Sequence, residues 1–394
     1  MFKILPILFL PLLALSCDKD PDYCVGCSNE YPYYNDSHLK TSAQAISSLP
    51  SVPAFAQADL QKLKKVIVFP ASSRRQTVVG FADQFLSALE KKGWKVFDSD
   101  TQIRSEDPVL DIQAATGFEK PDIVAFYMTE MPLPGHSPIN FYQTWELLPR
   151  ANFLKVSILE DFNYPWHINN ASYFYQHADV ILARYPEAFQ QLETDCGKPI
   201  FHFPHAASRP YFEAKNDFTN KKQALLLSGT IHKRWYPLRA KALELFEANN
   251  SYLFYRRHPG YAQKMDPIQE ARDYATQIAQ YQLALTGAGM GISLAAPYIL
   301  AKHFEIPATG TVVVTDKFVE PMMKRLGFIE NEHYLASTPN TLEADLARWL
   351  APENQANLER IGIAGQKLVS ERHTLEKRVE EFEQVVYWAW VNKK

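Results

Sequence analysis

The feature that most limits the possible folds is an alternation that runs, stops and starts again. Short apolar runs rich in Val, Ile, Leu and Phe fall at Val66–Phe69, Trp94–Phe97, Ile123–Tyr127, Leu154–Leu159, Val180–Ala183 and Ile200–Phe203. Between them lie longer segments. The one ending at Lys92 and capped by Gly93, and Pro108–Thr116, read as helices. Near-continuous apolar strands that alternate with helices imply a parallel sheet covered on both faces. The pattern halts in the charged segment Ala214–Lys222 and resumes at Ala224–Ser228. There follow a helix from Pro237 to about Ala248, a strand at Tyr252–Tyr255, a helix from Asp266 to Gln280, a helix near 296–308, a strand at 311–315, and helices to the end. Two strand-led runs predict an α/β chain of two Rossmann-like domains facing a cleft, and 394 residues favour two domains over one. The expected boundaries are 61–215 for the first domain and 216–394 for the second.

Residues 1–60 lie outside this pattern. Lys3 precedes an apolar run from Ile4 to Leu15 that ends in Ala14-Leu15-Ser16 before Cys17. Residues 1–16 therefore read as a signal peptide, too short for a confident spanning helix, with Cys17 resembling a lipid-anchoring position. The expected location is the secretory pathway or cell envelope, with membrane association through the N-terminus. The alternative is a cytoplasmic protein with an apolar tail. Residues 17–60 are polar and turn-rich, a linker or loosely packed extension. Cys24-Val25-Gly26-Cys27 is a single CxxC without a second pair, so a metal site is not expected; a local disulfide or free thiols are. The formal net charge of -3 gives no basic excess, so no nucleic-acid partner is expected.

Ligands of open α/β sheets bind outside the carboxyl ends of the strands. Three loops of the second run fit. Ser228-Gly229-Thr230-Ile231-His232-Lys233-Arg234 follows a strand; Gly229 permits close backbone approach, and Lys233, Arg234 and Arg239 supply charge for a diphosphate. Arg256-Arg257-His258 closes the next strand, with His258 a candidate for base or diphosphate contact. Gly287-Ala288-Gly289-Met290-Gly291 lacks the following acidic residue of a dinucleotide fingerprint and reads as a loop beside the ligand. The third loop precedes Lys302-His303-Phe304-Glu305, a helix ending at Gly310. Glu305 stands among apolar residues, where an unpaired carboxylate is costly, so it either reaches an internal donor or binds a hydroxyl-bearing ligand. Lys302 adds a further positive charge. In the first domain His136 and Asp161 follow apparent strands and are candidate bases for an acceptor hydroxyl. No paired-aspartate metal motif stands at a strand end.

The spacing Glu305-x-x-x-x-Gly310 before an apolar strand and Asp316 resembles the donor-site helix of GT-B nucleotide-sugar glycosyltransferases. Gly327-Phe328-Ile329, Glu332-His333-Tyr334 and Arg372-His373-Thr374 with Arg378 resemble the closing part of the branch similar to spore maturation protein B, the "glycosyl transferase family 1" group. The resemblance runs from about Leu225 to the end. It implies a metal-free transferase moving a sugar from a nucleoside diphosphate sugar to a saccharide or other hydroxyl acceptor. Glu305 would bind ribose hydroxyls, and the last helices would fold back across the first domain. Many relatives carry a second glutamate eight residues before this one; here it is Pro297, which leaves retention or inversion open. The alternatives are a non-catalytic saccharide- or nucleotide-binding protein on the same scaffold and a two-domain solute receptor.

Overall fold

The computed structural model describes residues 56–69, 81–98, 102, 107–128, 152–159, 178–184, 198–214, 217–233, 235–256, 266–290 and 297–393. The signal-peptide segment, Cys17, Cys24, Cys27, Cys196, His136, Asp161, Arg234 and His258 lie outside these residues. The first half contains α1 (Ala56–Lys62), β1 (Lys65–Phe69), α2 (Phe81–Lys91), β2 (Lys95–Asp98), α3 (Pro108–Thr116), β3 (Ile123–Met128), β4 (Leu154–Leu159), β5 (Val180–Ala183), β6 (Ile200–His202) and α4 (Arg209–Glu213). Its strands form one parallel sheet in the order β2-β1-β3-β4-β5-β6. Residues 56–60, assigned above to the extension, open α1, and Leu60 is buried in the first core. The amphipathic spacing of α2 buries Phe81, Ala82, Phe85, Leu86 and Leu89 on one stripe. Asp107 caps α3 by accepting from the Val109 and Leu110 amides.

The second half contains β7 (Lys222–Ser228), α5 (Pro237–Glu247), β8 (Leu253–Arg256), α6 (Pro267–Ile278), β9 (Tyr281–Leu285), β10 (Gly289–Met290), β11 (Pro297–Tyr298), α7 (Lys302–Ala308), β12 (Val312–Asp316), α8 (Glu320–Arg325), β13 (Leu335–Ser337), α9 (Leu342–Trp349), α10 (Gln355–Arg372) and α11 (Leu375–Lys393). A separate parallel sheet runs β13-β12-β9-β7-β8. Alternate residues of one strand feed different cores. Leu225 and Leu227 pack with Leu283, Leu285, Val312 and Val314 on one face; Leu226 packs with Ala284 and Val313 on the other. That two-sided burial is why the strands read as unbroken apolar runs.

Two expectations for this half need correction. The helix expected near 296–308 starts only at Lys302, because Pro297–Tyr298 pair antiparallel with Gly289–Met290 instead. The expected helix at 266–280 ends at Ile278, and β9 follows as the central strand of the sheet.

The chain crosses between the halves twice, at Ala207 and at Thr374. The two crossings pair: the Ala207 amide donates to the His373 carbonyl at 3.0 Å, and the Leu375 amide to the Ala207 carbonyl at 3.1 Å. After the second crossing, α11 returns to the first half, where Leu375, Val379, Phe382, Val385, Val386 and Ala389 complete its core. Phe382 is fully buried against Phe85 and Trp94, with ring centroids 5.7 and 5.1 Å away. Arg378, also buried, fastens the junction by donating to the His205 carbonyl at 3.2 Å and by pairing with Glu381 and with His373 Nδ1.

Candidate functional site

In the second sheet the chain leaves β7 outward to β8, then returns to place β9 on the other side of β7. The strand order reverses there, which opens a crevice beyond the carboxyl ends of β7 and β9. Ser228-Gly229-Thr230 closes β7, and Thr286-Gly287-Ala288 follows β9. Arg239, two residues into α5 after the Pro237 start, joins these turns. Its Nε donates to the Thr286 carbonyl, its Nη1 donates to the Thr230 carbonyl at 3.0 Å, and its guanidinium lies 4.1 Å from the Tyr236 ring centroid. Only 3 % of Arg239 is exposed.

Lys302, from the first turn of α7, enters the same crevice. Its Nζ donates to Ser228 Oγ at 3.2 Å and sits 5.2 Å from the Tyr274 ring centroid. Tyr274 bonds Ser228 Oγ through its hydroxyl at 2.7 Å and carries the Arg256 guanidinium 4.9 Å from its ring centre. Two cationic side chains, Lys302 and Arg256, thus converge on Tyr274. Burial lowers the Lys302 ammonium well below the usual lysine range, and repulsion by Arg239 adds more to that than attraction to Glu305 takes away. Arg256 Nη1 is buried and has no hydrogen-bond partner among the described residues. This is the electrostatic signature of an anion site: donors and positive charge gathered faster than the protein neutralises them.

Gly229 forms the mouth of the crevice. Its φ of +95° is open to glycine at little cost, and a Cβ there would lie 2.6 Å from Lys302 Nζ and 3.2 Å from Arg239 Nη1. The backbone can approach a ligand at this point because no side chain intervenes.

Glu305 is 2 % exposed. Burial raises its carboxyl to about 7, while Lys302 and the Tyr211 hydroxyl pull it down. Its Oε2 has no partner among the described residues. Of the two readings of this residue, an internal donor or a hydroxyl ligand, one oxygen remains available for the second. Asp316, at the end of β12, lies on the far wall. Its Oδ2 accepts from the Ala288 amide at 2.6 Å, and burial raises its carboxyl to about 7.

The structure therefore brings Gly229, Arg239, Lys302 and Glu305 together. Lys233 is exposed on the loop before α5. Gly310 is placed elsewhere: it turns the chain out of α7 with φ +71°, and its carbonyl lies 2.6 Å from where a Cβ on Gly362 of α10 would stand. Its contribution is the close packing of α7 on α10. Tyr274, Tyr211 and Asp316 join the site without a sequence signal of their own for it; Asp316 is visible there only as the residue ending a strand. Arg256 has a local signal, since it closes β8 at a carboxyl end. Among the described residues no group of three or more His, Cys, Asp or Glu side chains is disposed to hold a metal, and no helix is long and apolar enough to cross a membrane.

Comparison with known proteins adds a family match and a fold. Residues 290–384 match the family model described as "Glycosyl transferase-like". No curated protein matches the chain. Among solved structures, a glycosyltransferase from Rickettsia africae is 12% identical with a TM-score of 0.54, over 84% of this chain and 100% of that one. A sucrose-phosphate synthase from Thermosynechococcus elongatus is 12% identical with a TM-score of 0.58, over 83% and 99%. Anabaena Alr3699/HepE, solved with UDP-glucose, is 11% identical with a TM-score of 0.54, over 82% and 99%.

Proposed function

We propose that this GT-B-fold chain, related through residues 290–384 to the glycosyl transferase-like family, moves a sugar from a nucleoside diphosphate sugar to a hydroxyl acceptor without a metal. The observation that carries the proposal is the cluster of buried Arg239 with partly buried Lys302 and Arg256 behind Gly229, at the point where the strand order of the second sheet reverses. When a glycosyl bond to a diphosphate breaks, negative charge grows on the departing phosphate oxygens. Lys302 and Arg256 meet that charge in a site of low dielectric, where fixed cations act more strongly than in water. Arg239 holds the β7 and β9 turns that shape the pocket. Glu305 accepts hydrogen bonds from the ribose hydroxyls through its carboxylate.

The acceptor belongs to the first domain, with His136 and Asp161 as candidate bases. A saccharide or other hydroxyl compound suits the net charge of -3 better than a nucleic acid does. UDP-glucose, present in the Anabaena structure, heads the list of donors to try. On the Lys3 to Cys17 pattern we place the protein in the secretory pathway or cell envelope. One observation favours a second reading, binding without transfer: Pro297, in β11, occupies the position of the upstream glutamate that many relatives carry.

A calorimetric screen of common nucleotide sugars, followed by assay of released nucleoside diphosphate with a panel of sugar acceptors, tests the proposal. Binding and turnover of one donor, both weakened by Lys302→Ala, is the expected result. Binding without turnover supports the second reading; failure of every nucleotide sugar to bind overturns both.

A further inference from the structure

Tyr274 lies in α6 on the helical stripe that also carries Ala271, Ala275 and Ile278, three buried residues of the second core. The helix packs against α4 and α7. Spacing alone turns the tyrosine inward, and a leucine would serve that packing as well. Its polar and charged contacts need another account. Its hydroxyl meets Ser228 Oγ at 2.7 Å, and the same oxygen accepts from Lys302 Nζ at 3.2 Å. Its ring centre lies 5.2 Å from Lys302 Nζ and 4.9 Å from the Arg256 guanidinium. Ser228 and Arg256 are register partners in β7 and β8. One side chain therefore touches the last residue of β7, the last residue of β8 and the first residue of α7. The Tyr211 ring braces it edge-on, with centroids 6.4 Å apart.

Two like charges gathered on one ring repel each other. Among the described residues neither Lys302 nor Arg256 forms an ion pair with a carboxylate. A carboxylate in the place of Tyr274 would hold both cations but cancel the charge that a diphosphate needs. An aromatic face holds them without cancelling it, because its quadrupole attracts cations and it carries no net charge. Burial keeps the Tyr274 phenol neutral by pushing its titration above the usual tyrosine range. We propose that Tyr274 is a positioning residue for the donor diphosphate: its ring holds Lys302 and Arg256 together, and its hydroxyl fixes the Ser228 oxygen that receives Lys302. This rests on the donor reading given above. Cations held in place before the ligand arrives spare binding the cost of ordering two long side chains.

The test is isothermal calorimetry on the full chain with UDP and UMP, and with GDP and GMP. Wild type is compared with Tyr274→Phe, with the same variant built from trifluorinated phenylalanine, and with Tyr274→Leu; melting temperatures are recorded for all. Fluorine withdraws electron density from the ring face and nearly preserves its shape, so it weakens the hold on cations and spares the packing. Wild type is expected to prefer the diphosphate over the monophosphate. Tyr274→Phe, which loses the hydroxyl and keeps the ring, should reduce that preference about two- to threefold. The trifluorinated ring should reduce it about fivefold and Tyr274→Leu about tenfold. In a Lys302→Ala background, Tyr274→Leu should cost less of the preference than in wild type, since one of the two held charges is gone. A tyrosine that merely packs would give the trifluorinated protein the same preference as Tyr274→Phe, and Tyr274→Leu would lower the melting temperature and weaken di- and monophosphates alike. That result overturns the inference and leaves the donor reading intact; the fluorinated comparison delivers it even if Tyr274→Leu does not fold. If neither UDP nor GDP binds wild type, or if Lys302→Ala and Arg256→Ala both leave binding unchanged, the donor reading of the crevice fails and the inference falls with it.

Discussion

Substituting Gly229 by alanine separates backbone strain from ligand chemistry. At φ +95° an alanine is strained whatever space surrounds it. The left-handed penalty for an L-residue is about 1–2 kcal/mol. Gly93 provides the control, with φ +83° and nothing within 4 Å of the point where a Cβ would stand. Gly93→Ala and Gly229→Ala are therefore expected to destabilise by similar amounts, about 1–2 kcal/mol each. Only at Gly229 does the new methyl meet functional atoms, 2.6 Å from Lys302 Nζ and 3.2 Å from Arg239 Nη1. Arg239 is held by two carbonyls and cannot yield easily, so Lys302 swings aside and gives up its 3.2 Å bond to Ser228. Displacing one charge-assisted contact to a diphosphate costs about 1.5–3 kcal/mol, a roughly tenfold to hundredfold loss of affinity. Thermal unfolding reads the first effect and calorimetric titration with UDP and GDP reads the second. If both variants lose stability equally while Gly229→Ala binds diphosphate as wild type does, the crevice is not the diphosphate site.

Three further outcomes follow from the same geometry. Glu305→Gln is expected to weaken nucleoside diphosphate binding by about tenfold to a hundredfold with little change in melting temperature; a clear drop in melting temperature with affinity preserved would make Glu305 a structural group. Asp316 is held above its ordinary value of 3.8, at about 7, by burial, so the folded protein takes up its proton more readily than the unfolded chain. Its contribution to stability is complete at low pH and is lost as pH rises through about 7, and Asp316→Asn should remove that part of the profile in melting curves from pH 4 to 8; identical wild-type and variant slopes would contradict it. Phe382→Ala, in α11 but within the first core, should cost about 3–5 kcal/mol and raise amide exchange in β1 and α2. Loss confined to the second half would contradict the role of α11 in completing the first.

Much of the fold is legible in the sequence because buried parallel strands announce themselves as short apolar runs bounded by turn residues. Leu154–Leu159 and Val180–Ala183 are such strands, and helix Pro108–Thr116 is likewise bounded by the same residues in sequence and structure. Tyr281–Leu285 is the instructive failure. It follows α6 after only Ala279 and Gln280, so helical periodicity runs into it, and its centrality depends on pairing with β7 and β12 across long stretches of chain. Leu335–Ser337 is too short to stand out. Within the site, charged residues and glycines at strand ends and helix starts are visible, as Gly229, Arg239 and Lys302 illustrate. Tyr211 and Tyr274 are not, since a buried tyrosine looks like ordinary core until the fold sets it beside Glu305 and Lys302.

The most direct test of the central claim is a crystal structure of the full chain grown with the nucleoside diphosphate that binds tightest. The account predicts the diphosphate seated against the Gly229 backbone, its oxygens within hydrogen-bond reach of Lys302 and Arg256, and the ribose hydroxyls on Glu305. A nucleotide found instead on the first sheet, or on the second sheet away from the β7–β9 crevice, would contradict it.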